Sequence, residues 1–213
     1  MSILWFCRLD VESYVAAGRD VEVPRPRCPT CRRRMIFWHG YPRYVRKRGS
    51  PRIWVRRAKC QECSVSHGLL PAFLLQRRLD PVNVIGGALV RMVGGVGARP
   101  AAEAAGVPHS TARSWRRRYR ARAPALVAAL TGLLVDLGGE VVRLPADVEQ
   151  AALEVVVSAW RQAARRGSEL GTAGLWAFAS RVTGGTWLAT TTSEPWAGAS
   201  RRPLIAPVPL TTS

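Results

Sequence analysis

Acidic side chains are scarce where basic ones are dense. Residues 23–122 hold only Glu62, Asp80 and Glu103 against 23 Lys and Arg, while the rest of the chain holds eleven acids against nine bases. The net charge of +18 is therefore local, +20 in that segment and −2 elsewhere. Like charge at this density repels itself unless a polyanion is the partner. Lysine is nearly missing, since 30 of the 32 basic residues are Arg. A GC-rich genome produces the same bias, so Arg over Lys does not by itself specify bidentate contacts.

Long apolar runs are missing too. No stretch reaches the roughly 18 apolar residues that begin to suggest a membrane-spanning helix. Met1–Cys7 is apolar but lacks the basic start and small-residue cleavage site of a secretory signal. The expectation is a cytoplasmic chain with no membrane partner. Cysteines are few and odd in number, five in 213 residues, which argues against a disulfide framework.

Four of the five cysteines are paired in spacing. Cys28-Pro-Thr-Cys31 and Cys60-Gln-Glu-Cys63 are two CxxC pairs with 28 residues between them. Met35–Val45 and Arg52–Arg57 read as strands, and Lys47-Arg-Gly-Ser-Pro51 reads as the turn between them. A hairpin returns the second pair to the first, as tetrahedral coordination by four thiolates requires. The pattern predicts a structural Zn²⁺ at Cys28, Cys31, Cys60 and Cys63, with no open position for a catalytic water. A domain so small has little core, so the metal is expected to supply most of its folding energy. A redox CxxC normally stands alone in a βαβ context, which is absent here. His39 and His67 read as hydrogen-bonded structural residues or phosphate contacts rather than ligands, and Cys7 as a small buried hydrophobe. Ribbon knuckles often place Gly just after the second Cys, but here Arg32 and Ser64 stand there.

Around this core the chain divides by composition. Residues 1–24 read as a short strand and a helix capped by Asp10 and ended by Gly18. The zinc ribbon occupies 25–75, its last part, Gly68–Leu75, an apolar connector. Asp80-Pro81 reads as a helix start, with Asp as N-cap and Pro at the first helical position. Gly94-Gly95 ends that helix. A second helix spans about 100–105, Gly106-Val107-Pro108 is a turn, and a third spans about 109–122. Two helices crossing through a tight turn need a small residue at the approach and one tolerant of positive φ at the bend; Ala102 and Gly106 stand there. The unit at 78–123 thus reads as a helix-turn-helix. Val107, Ala112 and Trp115 face inward, while His109, Ser110, Arg113, Ser114, Arg116 and Arg117 face outward where base edges are read. Arg118, Arg120 and Arg122 read as phosphate contacts.

After Pro124 two apolar stripes follow within a helical region at 124–185. One is Leu126, Leu130, Leu133-Leu134 and Leu137; the other runs from Val148 to Ala163. They serve as intramolecular core or, alternatively, as a homodimer face. Residues 195–213 read as a disordered tail. The fold expected is α+β, mostly α: an N-terminal zinc-ribbon β-hairpin, a three-helix helix-turn-helix unit and C-terminal helices.

These residues together resemble an uncharacterised actinobacterial family with a transposase-like zinc ribbon and helix-turn-helix. The likeness rests on Cys28–Cys31, His39-Gly-Tyr-Pro-Arg43, Val55–Cys63, Ser66–Phe73, Arg78–Asp80 and Val107–Arg117, within residues 8–120. It implies zinc at the four cysteines and DNA contact by the helix at 109–117, but no established activity.

The function expected is binding of double-stranded DNA on the nucleoid, by a transcriptional regulator or an accessory factor of a mobile element. A truncated or non-catalytic transposase-type protein and an RNA-binding module are the alternatives. Two-metal DNA cleavage needs about three converging carboxylates. Beyond residue 122 only Asp136, Glu140, Asp147, Glu149, Glu154, Glu169 and Glu194 remain. They fall in or beside packing helices, so the chain is read as no enzyme, with no catalytic residue. Trp38, Tyr41, Tyr44 and Trp54 could stack bases, but read more simply as the small core of the ribbon.

Overall fold

The computed structural model describes residues 2–47, 49, 51–141 and 143–189. The tail expected at 195–213 lies outside the described residues.

Asp10 starts the first helix as its sequence suggests: its carboxylate accepts from the Ser13 N–H at 2.8 Å, and α1 (Val11–Ala17) ends at Gly18 with φ 55°. Before it lies strand β1 (Ser2–Trp5), and after it β2 (Ile36–Tyr44) and β3 (Arg52–Lys59) form the expected hairpin. The connector departs from expectation. Ser66–Pro71 is a strand, β4, antiparallel to β3 and parallel to β1, so the sheet order is β1-β4-β3-β2. Both faces of β4 are covered, so it shows no polar–apolar alternation to betray a strand.

The sheet therefore owns a core of its own. Leu4, Tyr14, Met35, Ile53, Val55, Leu69 and Leu70 are buried together with Cys28 and Cys60. β1, α1 and β4 thus bring apolar area that the hairpin alone lacks.

The helices form a second core. They are α2 (Val82–Val93), α3 (Ala98–Ala105), α4 (His109–Asp136), α5 (Val148–Arg165) and α6 (Leu175–Val182), with a 3-10 turn at Glu169–Thr172. Two boundaries differ from the sequence reading. Asp80 does not cap α2; Pro81 holds the cap position, and the Asp80 carboxylate is buried 3.4 Å from Arg46. Pro124 does not break the chain either, since α4 runs through it for 28 residues. An interior proline costs a helix about 3 kcal/mol. Tyr119, Ala123, Leu126 and Leu130, buried on one face across that point, offset the loss. The two apolar stripes, on α4 and α5, enter the same core within one chain. At Gly86 on α2 a Cβ would collide with the Trp176 ring of α6.

Successive side chains of the connector join the two cores. Leu74 belongs to the sheet core, Leu75 to the helical core, and Phe73 touches both. Arg43 of β2 donates to the carbonyls of Leu75 (2.9 Å) and Arg78 (2.6 Å), and the Arg46 N–H to Leu79 O (2.8 Å). From the other side the Ser180 hydroxyl donates to Leu74 O, and Gln76 Nε2 to Gly184 O. No helix among the described residues is long and apolar enough to cross a membrane.

Candidate metal centre and nucleic-acid interface

Each CxxC sits in a turn of the same design. The Cys28 N–H donates to Arg33 O at 2.8 Å, and the Cys60 N–H to Val65 O at 3.0 Å, a five-residue reach in both. To close, each turn puts the residue after its second cysteine in the left-handed region: Arg32 has φ 64° and Ser64 φ 56°. These are the two positions where glycine was missed in the sequence, and the geometry is adopted without it.

The two turns bring four sulfurs together. Cys28 lies 3.5 Å from Cys63, Cys31 lies 3.3 Å from Cys60 and 4.0 Å from Cys63, and all four fall within 4.8 Å of one another. None is in a disulfide. Sulfurs about 2.3 Å from a tetrahedral ion stand about 3.8 Å apart, so the cluster has the size of a four-thiolate metal site. Backbone N–H groups prepare it for charge. Those of Cys31 and Thr30 hold the Cys28 thiol down to about 6, and those of Cys63 and Glu62 lower Cys60 in the same way. The N–H groups of Arg33 and Val65 act likewise on Cys31 and Cys63, but the neighbouring sulfurs raise these two more. Four thiols this close cannot all ionise without a cation among them.

Neither histidine near the centre joins it. His39 is exposed and accepts from the Gly40 N–H; His67 is buried, and neither ring nitrogen has a hydrogen-bond partner. Among the described residues no other group of three or more His, Cys, Asp or Glu side chains converges, those of Asp136, Glu140, Asp147, Glu149, Glu154 and Glu169 included.

The second candidate region is the turn between α3 and α4. Gly106 takes φ 65° and ψ 34°, and the Val107 N–H returns to Ala102 O at 3.0 Å. Ala101 and Ala102 are buried against Ala112, Trp115 and Tyr119 of α4. That leaves His109, Ser110, Arg113 and Arg117 exposed, with Ser114 half-buried and Arg118 Nε 3.3 Å from the Ser114 hydroxyl. Arg116, expected to face outward, stays half-exposed but is paired within the protein. Its guanidinium turns to Glu149 of α5 at 3.2 Å, and Arg120 Nε lies 3.9 Å from the same buried carboxylate. Arg122 Nε donates to Ala189 O. Sequence reasoning missed Glu149 because an acid in the first turn of a helix reads as a partner for the macrodipole. Here it reaches across to α4.

Fold and site together define a small α+β protein: a four-stranded sheet with a cluster of four cysteines that could hold a metal ion, locked through one connector to a helical unit. Residues 28–115 match the model of a family described as a domain of unknown function (DUF6431), a span that opens at the first cysteine and closes at Trp115. No curated protein and no solved structure matches the chain. The match supports the cysteine centre and the first helices as parts of one unit. Nothing in it supports an actinobacterial origin or a transposase-like character.

Proposed function

We propose that the chain is a DNA-binding protein in which Zn²⁺ holds the two CxxC turns and the start of α4 is the reading element of a helix-turn-helix. The observation that carries the proposal is the division of α4: Ala112, Trp115 and Tyr119 are buried, while His109, Ser110, Arg113 and Arg117 remain on the surface after a left-handed turn. An Arg in that position can reach guanine O6 and N7 in a major groove, and cations further along the helix contact phosphates. The surplus of +20 in residues 23–122 supports the same partner. No catalytic residue is assigned, and regulation of transcription or assistance to a mobile element is the role in view.

Zinc fits the centre because four thiolates at tetrahedral spacing suit it and leave no position open for water. Its part is to hold the sheet, not to react. The test is binding of the zinc-loaded chain to a duplex selected from random sequence, followed over a salt series. Neutralisation of six to eight phosphates gives a log–log slope of about −5 to −7. Arg113→Ala is expected to relax the preference at one base pair, whereas Arg117→Ala weakens all duplexes alike. A flat salt series, or no preference among sequences, overturns the reading.

A further inference from the structure

The two cysteine turns share a backbone but not a charge. Cys28-Pro-Thr-Cys-Arg-Arg-Arg34 carries three cations after its second sulfur, and Arg27 stands before its first. Cys60-Gln-Glu-Cys-Ser-Val-Ser66 carries no cation after its second sulfur and has an acid, Glu62, between the two. Yet both turns close by the same five-residue hydrogen bond and the same left-handed residue. Ser, Val and Ser suffice in the second turn, so the fold does not call for Arg32, Arg33 and Arg34 in the first.

The ladder beside each turn repeats the contrast. Arg27 faces Arg34 across an antiparallel bridge, whereas at the matching positions of the second turn Lys59 faces Ser66. Like charges directly opposite each other are destabilising. All four arginines are exposed, and among the described residues none of them forms an ion pair. Nor do they answer the sulfurs. Arg27 Nη1 donates to Arg32 O at 3.3 Å, and the hydrogen bonds to the thiols come from backbone N–H groups and neighbouring sulfurs. Charges on long stems need no common face to act together, because each is felt over about 8–10 Å at ordinary salt.

The Cys28 turn lies at the start of β2. That strand meets the helical unit at its other end, where Arg43 donates to the carbonyls of Leu75 and Arg78. Seven steps of strand, about 23 Å, lie between. The turn is therefore a place apart from α4.

We infer that the Cys28 turn is a phosphate grip: Arg27, Arg32, Arg33 and Arg34 hold the backbone of duplex DNA at a second point, away from the stretch that α4 reads. Guanidinium forks match phosphate oxygens. Contacts of this kind add affinity and fix orientation without choosing a sequence. The inference rests on the reading of the chain as a DNA binder, but on no residue of α4.

The experiment is fluorescence anisotropy of the zinc-loaded full chain with the selected duplex and with an unrelated one of equal length, over a salt series. Arg33→Gln/Arg34→Gln is expected to weaken both duplexes alike, about tenfold near physiological salt, and to make the log–log slope shallower by about two. Arg161→Gln/Arg165→Gln removes the same charge from exposed positions on α5 and is expected to change binding by less than about twofold. Arg33→Lys/Arg34→Lys keeps the charge and should keep most of the affinity. Zinc content and thermal unfolding equal to the parent's exclude misfolding. An unchanged slope in Arg33→Gln/Arg34→Gln, or an equal loss in either of the other two variants, overturns the inference. So does a preference for anionic lipid vesicles over duplexes. If Arg113→Ala leaves the sequence preference intact while Arg33→Gln/Arg34→Gln still weakens both duplexes, the helix-turn-helix reading falls and this one stands.

Discussion

The two cores of this chain are held by different chemistry. In the sheet, ring contacts are made largely with cations: Arg19 on Trp54, Arg25 and Arg56 on Phe37, Arg52 on Tyr44, Lys59 on Trp38. Four thiols close one end of it. In the helical unit rings meet rings, with Trp187 stacked on Trp176 at 5.5 Å and edge-on to Tyr119 at 6.2 Å. Apolar burial runs from Ile85 through Leu134 to Phe178. The sheet thus adds cation–ring contacts and a four-cysteine cluster to its apolar burial, and solution conditions can change both. The helical unit depends on area removed from water, which they change little.

The sharpest way to break that contrast is to remove the sulfurs. Cys60→Ser, or chelation, is expected to cost the sheet several kcal/mol. Amide hydrogen exchange checks it: protection should fall across β2–β4 while α4 and α5 keep theirs. Equal loss everywhere would show that the connector makes the two cores one cooperative unit.

A steric change on the other side comes next. Gly171 packs so tightly on the backbone of Ala164 that a Cβ has no room. Gly171→Ala is expected to lower the unfolding free energy by about 3 kcal/mol, with metal uptake by the four cysteines unchanged, as measured by denaturant unfolding and metal titration.

Glu149→Gln sharpens the comparison at the helical surface. A buried carboxylate that holds Arg116 and approaches Arg120 is removed as a charge but kept as a shape. Stability is expected to fall by about 2 kcal/mol. On the DNA-binding reading the freed Arg116 steepens the salt dependence by about one phosphate.

His67 gives a smaller, pH-dependent effect. Burial pushes its pKa below the ordinary 6.5. The unfolded chain therefore takes up a proton near 6.5 while the folded one still refuses it. The stability from this residue is full above that pH and is lost as pH falls through the window below it. Thiolates also protonate there, so the readout is the difference between His67→Leu and the parent chain: the parent should lose more stability between about pH 7 and 5. Smallest of all, Ser64→Gly relieves a left-handed backbone and is expected to stabilise the sheet by about 1 kcal/mol in thermal unfolding.

How much of this the residues announce varies with the reach of the interaction. Asp10 and Gly18 mark α1 because a cap acts within four residues. The paired CxxC motifs place four sulfurs together because coordination chemistry allows little else. Gly106 marks the turn because only a residue tolerant of positive φ bends there cheaply. What stays hidden is long-range. Ser66–Pro71 has no alternation because both its faces are covered. Asp80 resembles a cap until Arg46 arrives from the turn after β2. Arg116 looks like a solvated cation until Glu149 meets it from 33 residues away. Pro124 looks like a boundary because the gain from burying one helix face over 28 residues is invisible in a local window.

That uninterrupted helix makes α4 a lever about 40 Å long. Its first turns carry the exposed cations and its last turns lie among the C-terminal helices. A partner that tilts the far end against α5 swings the near end with it, unless the rod bends at Pro124. Aim at one end is thus set by grip at the other.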